Sequence, residues 1–409
     1  MKKEFVSAST LSVEEIRSIL LQKIDEQSVF LDTTEDKELL RNITPIIGKS
    51  NVVSLFSGAG GLDLGLELAG IDAVKGSTYT DNILKDKDQY DMHRSEGLFN
   101  FIYSNDVFKE ANQTYTNNFP ENVYKHEKDI REVSFFPENQ IMVGGFPCPG
   151  FSVAGPRLLD DPRNFLYLHF IRALVDTQPE FFIAENVKGI MTLANGAVFK
   201  QVVEDFASAG YEMKAFLINS RDYGVPQIRE RVLLVGTHIE KIKKNYDWEY
   251  KLPGPTHGTE NGLKDFVTLK EAIGDLPKDP SDVFSGNFSP MYMSRNRKKR
   301  WDEQSFTIQA SGRQAPLHPS GKPMKKIDSD HWELVGQNRR LSVREVARIQ
   351  TFPNWFKFSD GGNLKAQKNH RLNQQYKQIG NAVPVKMARQ VLRPIAEFLN
   401  EHSELAFRK

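Results

Sequence analysis

Asn51-Val-Val-Ser-Leu-Phe-Ser-Gly-Ala-Gly-Gly-Leu-Asp-Leu-Gly65 passes from an apolar run through clustered glycines into a leucine-rich segment. The run 51–56 has the pattern of a buried strand, and Leu64, Leu66 and Leu68 fall in the helix that follows. A strand, a glycine-rich turn and a helix start make a nucleotide-type site. Glycine lets the backbone approach a ligand, and the helix N-terminus offers unpaired N–H groups. The turn has neither the GxGxxG spacing of dinucleotide enzymes nor the Gly-Lys-Ser/Thr of a phosphate loop, which argues against a nicotinamide-dependent oxidoreductase. A cofactor with a carboxylate and no pyrophosphate, such as S-adenosylmethionine, fits better.

On the N-terminal side, residues 1–48 read as a helical extension. Ser12-Val-Glu-Glu15 fits a capping box, and Ile16, Leu20 and Ile24 recur at helical spacing. On the C-terminal side, 75–100 is polar, without clear periodicity, and reads as an inserted loop. Phe101–Asp106 then reads as the second strand, whose terminal acid usually holds ribose hydroxyls; an Asp that caps the next helix is the alternative. Val123–Lys125 reads as a third strand, followed by Asp129 and Ile130, an acceptor and an apolar surface suited to adenine. A helix is expected over Phe165–Thr177 and a buried strand over Phe181–Val187, ending in Glu185-Asn186. Desolvation there disfavours the charged carboxylate, which suits an acid acting on a ring nitrogen. A Glu paired with a nearby Arg is the alternative.

Cys148, the only cysteine in 409 residues, stands in Gly144-Gly-Phe-Pro-Cys-Pro-Gly150 after the apolar Ile141, Met142 and Val143. That frame leaves a strand into a stiff loop at the sheet edge where α/β proteins bind ligands. The stretch by itself leaves open a nucleophile or a buried structural thiol. One cysteine forms no internal disulfide and no Cys-rich zinc site, and a reducing cytoplasm suits a thiol that must stay free. No apolar run has bilayer-spanning length, so no membrane association is expected.

Period-2 spacing in Gln227-Ile-Arg-Glu-Arg231 puts Gln227, Arg229 and Arg231 on one face. Past about residue 245 Pro and Gly become frequent, and a second, smaller domain is expected over 246–372. The net charge is only +1, yet residues 286–350 hold thirteen Lys and Arg against six Asp and Glu. Such a basic region is a footprint for phosphate, or a solvated loop. Ser305–Arg313 alternates like a strand ending in a turn, with Arg and Gln side chains able to read guanine and adenine edges. Ser342-Val-Arg-Glu345 caps a helix that stops before Pro353. Gln378–Val385 opens a terminal helix.

Six of these segments, in this order, resemble the cytosine-C5 DNA methyltransferases, in particular bacterial modification methylases of type II restriction–modification systems. They are Phe56-Ser-Gly-Ala-Gly-Gly61, Gly144-Gly-Phe-Pro-Cys148, Glu185-Asn-Val187, Gln227-x-Arg-x-Arg231, Arg340-Leu-Ser-x-Arg-Glu345 and Gly380-Asn-Ala-Val-Pro384, spanning about 50–395. The resemblance implies a Rossmann-like α/β methyltransferase fold. The S-adenosylmethionine-binding catalytic domain would cover 49–245, with the 75–100 insert. A target-recognition domain would cover 246–372, and 373–409 would return to the catalytic domain.

The resemblance also implies roles. Cys148 would be the nucleophile. Glu185 would contact N3 and the amino group of the target cytosine. Arg229 and Arg231 would orient base and thiol. Gln227 would support the loop on the DNA side, and Ser152 would touch a phosphate. Phe56 would stack on adenine, while the backbone of Ser57, Gly58, Ala59, Gly60 and Gly61, continued by Leu62, would cradle the methionine part. Asp106 would take the ribose, and Asp129 and Ile130 the adenine. Pro147, Leu166 and Asn381 would complete the pocket. Arg295, Arg297, Gln309 and Arg313 would meet double-stranded DNA, expected to carry a short GC-rich palindrome. A monomer suffices for that, since each strand can be methylated in turn. A cognate restriction endonuclease is the expected functional partner, and no metal is needed. Two departures stand out: Pro149 follows the cysteine where the family usually has Gln, and Asp106 replaces the commoner Glu.

The chemistry needs these residue types. Carbon 5 of cytosine is too poor a nucleophile to take a methyl group directly. A thiolate adding at C6 makes the ring an enamine, and an acid at N3 stabilises the adduct. A free thiol has a pKa of about 8.5, so nearby cations or N–H groups must favour the thiolate. The base must leave the duplex, at a cost of roughly a few kcal/mol. The segment from Ser152 to about Asn164 is the expected lid. A single cysteine argues against the two-cysteine RNA methylases, and the loop at Cys148 is not the Asp/Asn-Pro-Pro-aromatic loop of amino-group methylases. The Cys-Phe-Thr signature of a related transfer-RNA methylase is absent from the sequence. A methylase-like regulator that binds DNA without catalysis would be expected to lack Cys148 or Glu185.

Overall fold

The computed structural model describes residues 12–28, 33–147 and 166–408, so the readings for Cys148, Ser152 and the expected lid fall outside the described residues. Seven strands form one sheet: β1 (Ser50–Leu55), β2 (Phe99–Asn105), β3 (Tyr124–His126), β4 (Ile141–Gly144), β5 (Phe181–Val187), β6 (Tyr211–Asn219) and β7 (Glu230–His238). Their order is β3-β2-β1-β4-β5-β7-β6. Neighbours from β3 across to β5 pair in parallel, and β7 runs antiparallel between β5 and β6. Around the sheet lie α1 (Val13–Gln27), α2 (Thr33–Asn42), α3 (Gly61–Lys75), α4 (Ser77–Ile83), α5 (Lys87–His93), α6 (Lys109–Asn118), α7 (Leu166–Thr177) and α8 (Ala197–Ser208). This is the doubly wound mixed α/β architecture that the stretch 51–65 predicts.

Alternation along the strands divides the core. Val52, Ile141, Phe181, Ile183, Leu233 and Val235 face a cluster shared with α3. Val53, Met142, Phe182, Ala184, Val232 and Leu234 face the opposite cluster, shared with α7 and α8. Strands covered on both faces have no solvent side, which is why they are mainly apolar and show no regular polar face. The capping box at Ser12 forms as expected: its Oγ accepts from the Glu15 N–H, and the Glu15 carboxylate accepts from the Ser12 N–H. Ile16, Leu20 and Ile24 are buried, and α1 lies against α7 and α8.

The reading of 75–100 as a loop is corrected. The segment folds into α4 and α5 plus a 3-10 turn, and β2 already begins at Phe99. Its order comes from distant partners rather than from its own periodicity. Arg94 donates to both carboxylate oxygens of Glu67 on α3 (2.8 and 2.6 Å) and to the Asn118 carbonyl (2.9 Å). Tyr90 donates to Glu67 (2.6 Å) and stacks on Trp355 at 5.2 Å.

After β7 regular structure thins to α9 (Lys244–Tyr246), α10 (Leu269–Ile273), α11 (Pro290–Met293) and the two-residue strands β8 (Lys325–Lys326) and β9 (Trp332–Glu333). Leu269, Ile273, Phe284 and Ile308 nevertheless join the α3 core, while Tyr292, Leu317 and Met324 form a small separate cluster. Ser305–Arg313 is not a strand: it makes one isolated bridge, Gln227 with Ser305, and then a 3-10 turn at Gly312–Gln314. Ser342 caps α12 (Val343–Ile349) through a capping box. The stretch 378–385 does more than open a helix: it ends α13 (Lys368–Asn381) and begins α14 (Val385–Glu401). α14 lies along α3 so closely that a Cβ at Gly65 would collide with Ala388. Among the described residues no helix is long and apolar enough to cross a membrane.

Candidate functional site

A cleft of about 410 Å³ opens at the carboxyl edge of the parallel strands. One wall is the turn after β1. Phe56 leaves the strand at φ 52°, a conformation costly for a side-chain-bearing residue and one that concentrates at functional sites. Gly58 (φ 54°) and Gly60 (φ 80°) complete the turn. A Cβ at Gly60 would strike the Phe119 ring, and one at Gly61 would strike the Val383 carbonyl, so the turn is wedged between α6 and the 380–384 segment. Phe56, Ser57, Gly58, Ala59, Gly61 and Leu62 line the cleft, whereas Gly60 faces Phe119.

Asp106 follows β2 and ties this turn down. Its Oδ2 accepts from the Gly58 N–H and its Oδ1 from the Phe108 N–H, both at 2.8 Å. Burial raises its pKa from the ordinary value, and those two N–H groups oppose the shift. A ribose hydroxyl would therefore meet a carboxylate already fixed in place. Asp129 accepts three bonds from Arg131, at 2.6–3.0 Å, which hold its carboxyl below the usual range. Ile130 is buried, and its carbonyl accepts from Arg172 (2.9 Å). Asp106, Asp129, Ile130, Pro147, Leu166 and Asn381 all line the same cleft.

The other wall is built by β4, β5 and β7. β4 runs into Gly145, Phe146 and Pro147, where the described residues stop one short of Cys148. Asn186 donates to the Phe146 carbonyl (3.1 Å), joining the end of β5 to this loop. Glu185 points to the cleft beside Gly145. In the antiparallel β5–β7 pairing Val187 opposes Arg231, so Glu185 lies diagonally across from Arg231 on the same face. The Arg231 Nε sits 2.9 Å from the Glu185 Oε1, with both side chains largely buried.

Gln227 and Arg229 precede β7 and turn inward. Arg229 is 1% exposed and donates to the carbonyls of Ile308 (3.3 Å), Gly380 (3.0 Å) and Ala382 (3.2 Å). Burial drives its pKa well below the ordinary arginine value. Expected to orient base and thiol, Arg229 lines the cleft and at the same time ties down backbone from three places, including both neighbours of Asn381. Gln227 is fully buried, donates to Gln350 (2.8 Å) and accepts from the Ile308 N–H (2.8 Å). Gln350 in turn donates to the Ile379 (2.7 Å) and Ala382 (3.1 Å) carbonyls. These bonds make Gln227, expected on the DNA side, a joint between three parts of the chain.

Arg297, expected to meet DNA, also turns into the protein. It is 6% exposed, stacks over Tyr292 and donates to the Tyr292 carbonyl (3.0 Å) and to Gln314 (2.9 Å), so it braces its own loop. Arg295, Gln309 and Arg313 are exposed. Their segment reaches the cleft through backbone, since a Cβ at Gly380 would strike the Gln309 carbonyl. Among the cleft residues not singled out from sequence alone are Ser54, Asp63, Lys128 and Lys377. Lys377 lies 4.0 Å above the Phe108 ring, and nothing in its local sequence marks it. Asp63 had a signal, an acid among leucines inside the decisive stretch itself.

The family model described as C-5 cytosine-specific DNA methylase matches residues 50–397. Type II methyltransferase M.BsuRI of Bacillus subtilis is 55% identical over 405 residues, covering 98% of this chain and 92% of that protein. Type II methyltransferase M.BspRI of Lysinibacillus sphaericus is 54% identical over 402 residues, covering 98% and 94%. Among solved structures, a putative DNA modification methyltransferase encoded within an E. coli prophage is similar with a TM-score of 0.57 at 22% identity, covering 86% of this chain and all of that one. At that identity the likeness speaks for the fold.

Proposed function

We propose that this chain, which belongs to the C-5 cytosine-specific DNA methylase family, is a DNA (cytosine-5-)-methyltransferase that modifies a short duplex site in the cytoplasm and so protects host DNA from a cognate restriction endonuclease. The observation that carries this reading is the pairing of Glu185 with Arg231 beside Gly145, in the same cleft as the glycine turn. One chamber thus offers an acid for a base ring and a cradle for a cofactor, with Cys148 next in sequence to a lining residue, Pro147.

The family and fold imply S-adenosylmethionine as methyl donor, and the donor set fits it. The turn leaves open space at Gly58, beside the start of α3, Asp106 and Asp129 supply carboxylate acceptors, and Ile130 supplies an apolar surface. When bound, the cofactor offers a methyl group on a sulfonium. Cys148 would add to C6 of the flipped cytosine. Glu185 would hold N3 and the amino group, stabilising the adduct so that C5 becomes nucleophilic. Arg231 would fix Glu185 and favour the thiolate. Once C5 has taken a methyl group, loss of its proton would expel the thiolate and restore the aromatic ring. Arg229 would keep the Asn381 segment in register. Residues 246–372 would read the target, with Arg295, Gln309 and Arg313 as exposed candidates for a GC-rich palindrome.

The test uses tritiated S-adenosylmethionine and duplex DNA carrying 5-fluorocytosine, with Cys148→Ser beside the wild type. Fluorine cannot leave as a proton does, so a true nucleophile stays on the DNA. A labelled covalent adduct is expected with the wild type only. No adduct, on DNA containing every short site, would leave a non-catalytic DNA-binding regulator as the reading. Bisulfite sequencing of plasmid from expressing cells gives the site; modified cytosines in AT-rich or asymmetric sites would overturn the GC-rich palindrome.

A further inference from the structure

The floor of the cleft holds a carboxylate that the reading above does not use. Asp63 stands in the first turn of α3, is 1% exposed, and lines the cleft beneath the glycine turn. The Tyr115 hydroxyl on α6 donates to its Oδ1 at 3.2 Å. Ser54 of β1 lines the same floor, and its buried hydroxyl lies beside Asp63, where it helps to hold the carboxyl down.

The charged and titratable groups facing Asp63 are Tyr115 and, one turn along its own helix, Glu67. Neither supplies positive charge. Arg94 lies beyond, but its guanidinium is engaged by Glu67 itself. Tyr115 stacks on Phe119 at 3.9 Å, the ring that also supports Gly60, so the group is held in place. Burial lifts Asp63 to about 6, above the ordinary aspartate value and still low enough to be charged at neutral pH. A buried carboxylate without a cation is costly, and the cost is relieved when a ligand brings one.

S-adenosylmethionine brings two positive groups and one negative. Its carboxylate suits the N–H groups at the start of α3. The α-ammonium on the same carbon then falls beside that helix turn, where it needs acceptors. We infer that Asp63 is the acceptor for the α-ammonium of the cofactor, with Ser54 Oγ as its neighbour, and that this carboxylate sets the preference for ligands carrying an intact amino-acid end. The inference rests on the S-adenosylmethionine reading of the cleft.

Isothermal titration of wild type and Asp63→Asn tests it with S-adenosylmethionine, S-adenosylhomocysteine, the deamino analogue of S-adenosylhomocysteine, and methylthioadenosine, which lacks the amino-acid end. The variant is expected to bind the first two about tenfold or more weakly, the loss of a charge-assisted bond, and the last two as the wild type does. Equal weakening of all four would make Asp63 structural, and no weakening would remove it from the site; either overturns the inference. Weakening of S-adenosylmethionine alone would assign the contact to the sulfonium and overturn the ammonium. If Asp63→Asn does not fold, the wild type still decides: its preference for S-adenosylhomocysteine over the deamino analogue should shrink as pH falls through about 6. A constant preference sinks the idea. A wild type that binds none of the four would instead remove the cofactor reading itself.

Discussion

Arg229 and Arg231 stand two residues apart and have opposite employments. Arg231 lies inside β7, where the pairing register carries its head group to Glu185 across the strand boundary. Arg229 lies just before the strand, and its guanidinium closes on the carbonyls of Ile308, Gly380 and Ala382. One arginine faces a carboxylate at the mouth of the cleft, and the other gathers backbone from distant parts of the chain. Alternation in sequence puts both on one face, but only where the backbone is a strand does that face determine what a side chain meets.

The sharpest way to break this comparison is at its chemical end. Glu185→Gln and Arg231→Ala are each expected to lower single-turnover methyl transfer by about 10²–10⁴, the range for a positioned acid–base group, with thermal midpoints near the wild type. The double variant should lose little more than either single one, because the pair acts as a unit. A large drop in midpoint for Arg231→Ala would erase the distinction. At the structural end, Arg229→Ala strands three carbonyls and should cost about 3–5 kcal/mol of stability in denaturant melts. If Arg229→Ala instead melts normally and fails only in turnover, Arg229 belongs with Arg231.

A smaller effect separates the two kinds of residue expected at DNA. Gln227→Ala should cost about 1–3 kcal/mol of stability through its orphaned partners, without altering the salt dependence of DNA binding. Arg313→Ala should leave stability unchanged and reduce the salt slope by about 1, as for one lost phosphate contact. The smallest expected effect is a pH slope. His318 is buried and its pKa is pushed down to about 4 from 6.5. Its neutral form is favoured on folding, so the unfolded chain binds more protons between those values. Stability should therefore fall as pH drops from 6.5 towards 4, less steeply in His318→Gln.

What the sequence made legible was local. The strand–turn–helix at 51–65, the capping boxes at Ser12 and Ser342 and the apolar strand at Phe181–Val187 each carry their instructions within a dozen residues. The segment 75–100 does not. Its helices are short and polar, and their order depends on Glu67, Asn118 and Trp355, partners that no window contains. The same limit explains Arg297 and Gln227: a long polar side chain looks alike in sequence whether it ends in solvent or on a buried carbonyl. Asp63 is a different case: the acid is visible among the leucines, but the glycines beside it speak for backbone, and only the fold puts its carboxylate on the cleft.

The lining of the cleft is drawn from Ser54 to Val187, from Arg229 and Arg231, and then from Lys377 to Val383. A growing chain on the ribosome has the glycine turn early but has nothing to press against Gly61 until Val383 has emerged, and no α14 to lie along α3. Synthesis therefore imposes an order on competence. Nascent molecules and fragments cut before residue 377 carry the glycine turn and Cys148 without a finished chamber, and the cleft is first complete in a molecule made through α14.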